Sequence, residues 1–328
     1  MMAGRAQGWS LFAIAALAAG FLLAPLWAKG GALFLIGILA IQIAFAVSFN
    51  MIFGLVGLVS FGHAAYFAVG AYVTAYLMRD VPQLPVVVSW LAGGLVAGLV
   101  GAAIGLVALR RASGIYFAVL TLALGELIHL LISKTTFLGR EDGFTGIPRP
   151  TINLGLTQIE LANTNTLFYV VIAAAMLLVA WMALIWYGPL GRAMRQDADR
   201  AAFLGIDTVR MRLLAFVLAA AVAGMAGGLY APWSQLITPE IANWTYSAIP
   251  ILFCLLGGAS NFWGPVLGGI VFVTLQHLTR NMVGLSELLV GSVLLLVVLG
   301  APGGLMGLIG SLGERLNRSR ATASEAAQ

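Results

Sequence analysis

Apolar runs long enough to cross a bilayer recur from end to end of this 328-residue chain. A membrane's hydrocarbon core is about 30 Å thick, and crossing it takes roughly 20 apolar residues of helix. No water is present there to bond backbone N–H and C=O groups, so each run must satisfy its own backbone, which a helix does. The runs fall at about 10–28, 31–49, 63–78, 86–109, 115–133, 166–187, 213–231, 245–257, 264–280 and 285–300. The expected fold is all-α: a polytopic helical membrane protein with about ten transmembrane spans over 1–312 and a disordered polar tail at 313–328. Charged residues make up only 9% of the chain, against about a quarter in soluble domains, so a soluble globular fold is excluded. Forty glycines let helices approach closely, as a tight membrane bundle requires. Arg5 and the apolar run that follows it have the look of a signal peptide, yet a second full run begins just after Lys29, so a retained first span is expected.

Ten spans place both termini on one side. Taking that side as the inside puts eleven basic residues there (Arg5, Arg110, Arg111, Arg192, Arg195, Arg200, Arg210, Arg212, Arg315, Arg318, Arg320). Six lie outside: Lys29, Arg79, Lys134, Arg140, Arg149 and Arg280. The excess follows the positive-inside rule and predicts cytoplasmic termini. The net charge of +5 is spread over short loops, an orientation signal with no nucleic-acid patch. The lone Cys254 excludes an intramolecular disulfide and a cysteine metal cluster.

Two loops stand out. The segment 188–212 carries five arginines and a short amphipathic helix pattern, with Pro189 suited to a first turn and Gly205 to the residue past the end. Leu190, Met194, Ala198, Ala201 and Leu204 share one side, and Arg192, Arg195 and Asp199 lie opposite. Phe203 falls on the charged side, where an aromatic needs a partner, so this helix is either offered to another protein or an ordinary solvated loop helix. The outward loop 133–165 contains G-R-E-D-G-F-T-G-I-P-R-P, a turn-rich stretch that is a functional surface or a passive connector.

Two membrane stretches make poor helices: F-N-M-I-F-G-L-V-G-L-V-S-F-G-H at 49–63 and L-G-G-A-S-N-F-W-G-P-V-L-G-G at 256–269. Interrupted segments of this kind point to a transport pathway, and glycine-lined helix packing is the competing explanation. Glu126 and His129 share a helical face within a span, as a proton relay would require, or as a simple contact near a wetted span end. A second Glu-x-x-His pair is missing, so no di-metal site is expected. The chain has no H-E-x-x-H and no G-x-S-x-G, and its two lysines, Lys29 and Lys134, lie outside any Walker A pattern. No catalytic role is expected, and any ATP that drives the protein is hydrolysed by another subunit.

Over nearly its whole length the chain resembles the inner-membrane permeases of bacterial branched-chain amino acid ABC importers, above all the LivM-type subunit. The resemblance rests on residues 49–72, on S-G-I-Y-F-A-V-L-T-L-A-L at 113–124 with the E-D-G-F-T-G-I-P loop, on G-R-A-M-R-Q-D-A-D-R-A-A-F-L-G-I-D, and on L-G-G-A-S-N-F-W-G-P-V-L-G with the tail A-P-G-G-L-M-G-L. It implies a permease bundle with broken helices that imports hydrophobic amino acids, with urea, short amides or other carboxylates as further substrate classes. It also implies a LivH-like second permease, cytoplasmic ATP-binding subunits and a periplasmic solute-binding protein as partners. The 189–205 helix is then the element that couples to the ATPase, with Arg192, Arg195, Asp199, Phe203 and Gly205 as contact or cap residues. Gln196-Asp197-Ala198-Asp199 departs from the family's usual run there. Asn50, His63, Tyr116 and Glu126 are expected on the pathway, and Glu141, Asp142, Phe144 and Pro148 on a docking surface for the binding protein. The competing function is a proton-coupled secondary transporter that uses Glu126 and His129.

Overall fold

The computed structural model describes residues 30–149, 151–153, 158–195, 207–279, 285–301 and 303–309, with scattered positions from 13 to 28 and residue 311. The main helices are α1 (Gly31–Asn50), α2 (His63–Asp80), α3 (Val86–Arg111), α4 (Ile115–Lys134), α5 (Thr164–Tyr187), α6 (Pro189–Arg195), α7 (Thr208–Ser234), α8 (Trp244–Gly257), α9 (Gly264–Thr279) and α10 (Ser286–Gly300). Five helices are long and apolar enough to cross a membrane: Gly31–Val56, which joins α1 to the turn beyond it, and α3, α4, α5 and α7. Shorter apolar helices lie at Ala15–Leu26, Trp244–Gly257, Gly264–Thr279 and Leu288–Gly300. With α2, a helix stands at each of the ten expected spans, and the fold is all-α and polytopic. Its only strands among the described residues form two small two-stranded ribbons: β1 (Phe144–Thr145) with β4 (Leu236–Ile237), and β2 (Thr151–Asn153) with β3 (Gln158–Glu160).

The chain divides into two compact units, Met1–Pro250 and Ile251–Gln328. In the first, α7 is the central post, packed by α1, α2, α3 and α5. The amphipathicity of α3 explains how. Gly93, Ala97, Gly101, Gly105 and Ala108, spaced close to every fourth residue, are buried, whereas Leu91, Leu95, Leu99 and Leu106 are exposed. Small residues face protein and large ones face lipid, the arrangement expected where lipid tails are as apolar as leucine and close backbone approach drives association.

At three positions the approach leaves no room for a side chain. A Cβ on Gly70 would strike the Gly224 carbonyl, one on Gly227 the Phe67 carbonyl, and one on Gly224 the Ala97 side chain. Aromatic contacts fix the other side of α7. Trp233 stacks on Phe34 at 5.8 Å, and its Nε1 donates to the Phe34 carbonyl. Trp90 Nε1 donates to the Met225 carbonyl at 2.6 Å. At the start of α7, Asp207 Oδ1 accepts from the Arg210 backbone N–H at 3.0 Å as an N-cap. Asp207→Ala should therefore lower stability by about 1 kcal/mol; an unchanged thermal melt of the detergent-purified chain would show that the cap contributes nothing.

The first turns of α8, through Pro250, belong to the first unit; in the second, the rest of α8 and α9 form a tight hairpin. Gly258 turns the chain at φ 102°, and a Cβ on Gly257 would meet the backbone of Gly264. Asn261 Oδ1 accepts from the Trp263 N–H at 3.0 Å, closing the turn, and Phe253 packs on Phe272 at 5.5 Å. The 256–269 stretch is both interrupted and glycine-packed: regular helix stops at Gly257 and resumes at Gly264, and glycines bring the two helix ends into backbone contact.

Candidate functional site

The 49–63 stretch is interrupted, as its sequence predicts. After Asn50 the helix widens into a π-turn (Met51–Val56), Gly57 closes it in the left-handed region at φ 77°, and regular helix resumes only at His63. The break ends against α4: a Cβ on Gly62 would strike the Thr121 carbonyl, and one on Gly125 would lie 2.8 Å from the Gly62 Cα. The freed amide of Ala64 donates to Ser247 Oγ at 2.9 Å, so α8 caps the start of α2. Within this frame Asn50 and His63 are both buried. Ser48 Oγ lies 2.9 Å from His63 Nε2 and donates to the Phe45 carbonyl at 2.7 Å. Phe45 stacks on the imidazole at 5.4 Å, Phe49 and Tyr66 meet it edge-on, and Phe67 and Tyr246 extend the aromatic cluster. Tyr116 stands apart from this group: it is 75% exposed at the start of α4.

Glu126 has a more specific position than its sequence foretold. Oε1 accepts from the backbone N–H of Trp244 at 2.8 Å, at the first residue of α8, and Oε2 lies 3.2 Å from His129 Nδ1. A carboxylate at a helix N-terminus satisfies a free amide and the positive end of the dipole. The Glu126–His129 pair exists, and its carboxylate is already engaged in joining α4 to α8.

The loop that follows α4 is strapped down. Phe144 and Thr145 pair antiparallel with Ile237 and Leu236 beyond the end of α7, and Tyr72 Oη donates to the Ile237 carbonyl. Arg149 donates to the carbonyls of Pro232 and Trp233 at 3.1 and 3.2 Å, bonding acceptors that the last turn of α7 leaves open. Partial burial draws its guanidinium below the ordinary arginine pKa. The Arg79 guanidinium lies 3.7 Å over the Phe144 ring. Phe144 was expected on a docking surface, but at 1% exposure it cannot be offered to a partner; it anchors the loop. Glu141 and Asp142 are exposed, Glu141 paired with Lys134 at 3.1 Å, and Pro148 is half-buried. In the 188–212 segment the helix begins at Pro189 as predicted and is described to Arg195, with Arg192 exposed on it. Asp199, Phe203 and Gly205 lie outside the described residues.

A bundle of apolar, small-faced helices with a break between Asn50 and His63 defines a polytopic helical membrane protein. Residues 30–299 match the profile of the family described as branched-chain amino acid transport system / permease component, and the chain belongs to that family. It is 29% identical over 290 residues to the high-affinity branched-chain amino acid transport system permease protein LivM of Salmonella typhimurium, covering 81% of this chain and 68% of that one. LivM of Escherichia coli K12 is likewise 29% identical over 295 residues, with the same coverage of 81% and 68%. LivH of Escherichia coli K12 is 25% identical over 280 residues, covering 80% of this chain and 90% of that one. No solved structure matches this chain.

Proposed function

We propose that this chain is the membrane-spanning permease subunit of an ATP-driven importer of branched-chain or other hydrophobic amino acids, forming half of the pathway. The match to a permease family over residues 30–299 carries the reading, and the interrupted helix at 51–62 supports it. A second, LivH-like permease completes the pathway in the bacterial inner membrane, both termini of this chain being cytoplasmic. Separate cytoplasmic subunits bind and hydrolyse ATP, so this chain is no enzyme. The 188–212 segment docks in a groove on the ATPase, with Arg192, Arg195, Asp199, Phe203 and Gly205 as its contact or cap residues. Closure of the ATPase pair is transmitted as rigid-body motion. Asn50, His63, Tyr116 and Glu126 belong to the wall of the pathway. A periplasmic binding protein docks on the exposed part of the outer loop, at Glu141, Asp142 and Pro148.

Co-purification with the candidate ATPase tests the coupling. A stable complex is expected, weakened by Phe203→Ala and by Arg195→Glu. Robust solute uptake under a proton gradient without any ATPase would sink the proposal.

The proton-coupled reading keeps one observation in its favour, the 3.2 Å Glu126–His129 contact. The two readings separate at Glu126→Gln, whose amide oxygen still accepts from the Trp244 N–H. Uptake by an importer should stay within a few-fold of wild type, whereas a carboxylate relay would lose transport entirely; the uptake rate in proteoliposomes decides.

A further inference from the structure

Four helices of the first unit, α2, α3, α5 and α7, enclose a cavity of about 100 Å³. Thr74 of α2 and Gly228 and Pro232 of α7 form its buried floor, and Ala174 of α5 closes its deep end. Val87 and Trp90 of α3 and Val170 of α5 complete the wall, and these three are partly open, Val87 at 45% exposure. The mouth therefore lies between α3 and α5, each of which packs on α7. Its flanks are apolar and exposed, with Leu91 and Leu95 on α3 and Tyr169 and Leu177 on α5. Both helices are long and apolar enough to cross a membrane, so this mouth faces hydrocarbon.

The lining decides what can enter. Its only polar side-chain groups among the described residues are the Thr74 hydroxyl and Trp90 Nε1. The first already donates to the Ser89 carbonyl at 3.3 Å, the second to the Met225 carbonyl at 2.6 Å. A carboxylate or ammonium in this space would have no partner, and an unpaired buried charge is far too costly. Hydrocarbon meets no such cost. An engineered apolar cavity of roughly 150 Å³ takes up benzene, so this volume suits a run of methylene groups.

Depth and charge narrow the occupant further. Along α5 the cavity ends at Ala174, ten residues past Thr164, or about 15 Å of helix. That is about half the hydrocarbon thickness, the depth of one leaflet. At the shallow end Arg149 bonds the carbonyls of Pro232 and Trp233 through Nε and Nη2, at 3.1 and 3.2 Å. A guanidinium thus stands beside a wall residue of the cavity, without a carboxylate partner and with Nη1 unused among the described residues. Unused guanidinium N–H groups suit a phosphate.

We propose that this cavity seats one acyl chain of a bilayer phospholipid, with the lipid phosphate at Arg149. The lipid is a structural ligand that fills the gap α3 and α5 leave against α7. The inference does not depend on what the chain transports or on what drives it.

Native mass spectrometry of the detergent-purified chain with added phosphatidylglycerol tests it. The wild type is expected to retain one phospholipid after the detergent is stripped. Ala174→Phe fills the deep end and Val170→Trp blocks the mouth, and both should lose that lipid. Leu177→Trp, on the exposed face of α5, should keep it. Wild-type retention by both cavity variants overturns the proposal. Should Ala174→Phe fail to fold, Val170→Trp, at a half-buried position, carries the test through its thermal melt. Phosphatidylglycerol should raise the melting temperature of the wild type and leave that of Val170→Trp in place. An equal response of the two also overturns it. Lysophospholipid, with one chain, should displace the retained lipid; displacement by leucine would overturn the proposal and make the cavity a solute site. Arg149→Gln should weaken phosphatidylglycerol retention about tenfold, the loss of one charge-assisted hydrogen bond. Diacylglycerol, which has the chains without the phosphate, should be held equally by Arg149→Gln and wild type. Equal phosphatidylglycerol retention by the two overturns the phosphate contact.

Discussion

Replacing Gly227 by valine is expected to leave no folded chain in the membrane. The new Cβ alone would collide with the Phe67 carbonyl, a backbone atom that no rotamer change can move aside. Relief requires α2 and α7 to separate, and that separation also undoes the Gly70–Gly224 approach and the seat of α3 on Gly224. Overpacking an adaptable core costs about 1–3 kcal/mol; a backbone clash at the centre of a bundle belongs with the exceptional losses above about 4 kcal/mol. Size-exclusion profiles of detergent extracts should lose the monodisperse peak for Gly227→Val and for Gly70→Val. Gly291→Val, where a Cβ meets open space, should elute as wild type. A normal profile for Gly227→Val would show that the helices do not pack this closely.

Phe144→Ala should release the loop between α4 and α5. Its ring is buried beneath Arg79 and next to Tyr72, at 6.4 Å between centroids, in the two-residue ribbon with Ile237. Truncating a buried phenylalanine costs about 3–5 kcal/mol. The loss falls on the strap that ties the loop to α7, so the segment from Gly139 to Arg149 should become protease-sensitive while the membrane helices remain. Glu141→Ala removes only an exposed ion pair with Lys134, worth about 1 kcal/mol or less, and should leave the cleavage pattern unchanged. Equal protease resistance of Phe144→Ala and wild type would mean the ribbon does not hold the loop.

The spans and the first interruption are legible in the sequence because both follow from local chemistry: apolar length for the spans, and Asn50, Ser60 and His63 among glycines for the break. The second glycine cluster was ambiguous for a physical reason. Glycine favours both an unwound backbone and a close helix contact, and the structure shows both between Gly257 and Gly264. Phe144 misleads because a phenylalanine among loop residues looks exposed until the strand at 236–237 is brought against it. Glu126 and His129 were paired correctly by their spacing, but the partner that defines Glu126 is an amide 118 positions away, which no local pattern reveals. The helix expected from Pro189 is present through Arg195, and the rest of it lies outside the described residues.

The helix α7 has 27 residues, about 40 Å of continuous rod from Asp207 to the ribbon at Leu236. Its side-chain-free contacts with α2 leave it little room to bow, and Arg149 clamps its far end to the outer loop. On the proposed coupling, a push at its first turn, just after the arginine-rich segment, would reach the loop that Phe144 anchors. In mechanical terms α7 has the build of a connecting rod, seated on its neighbours by glycines.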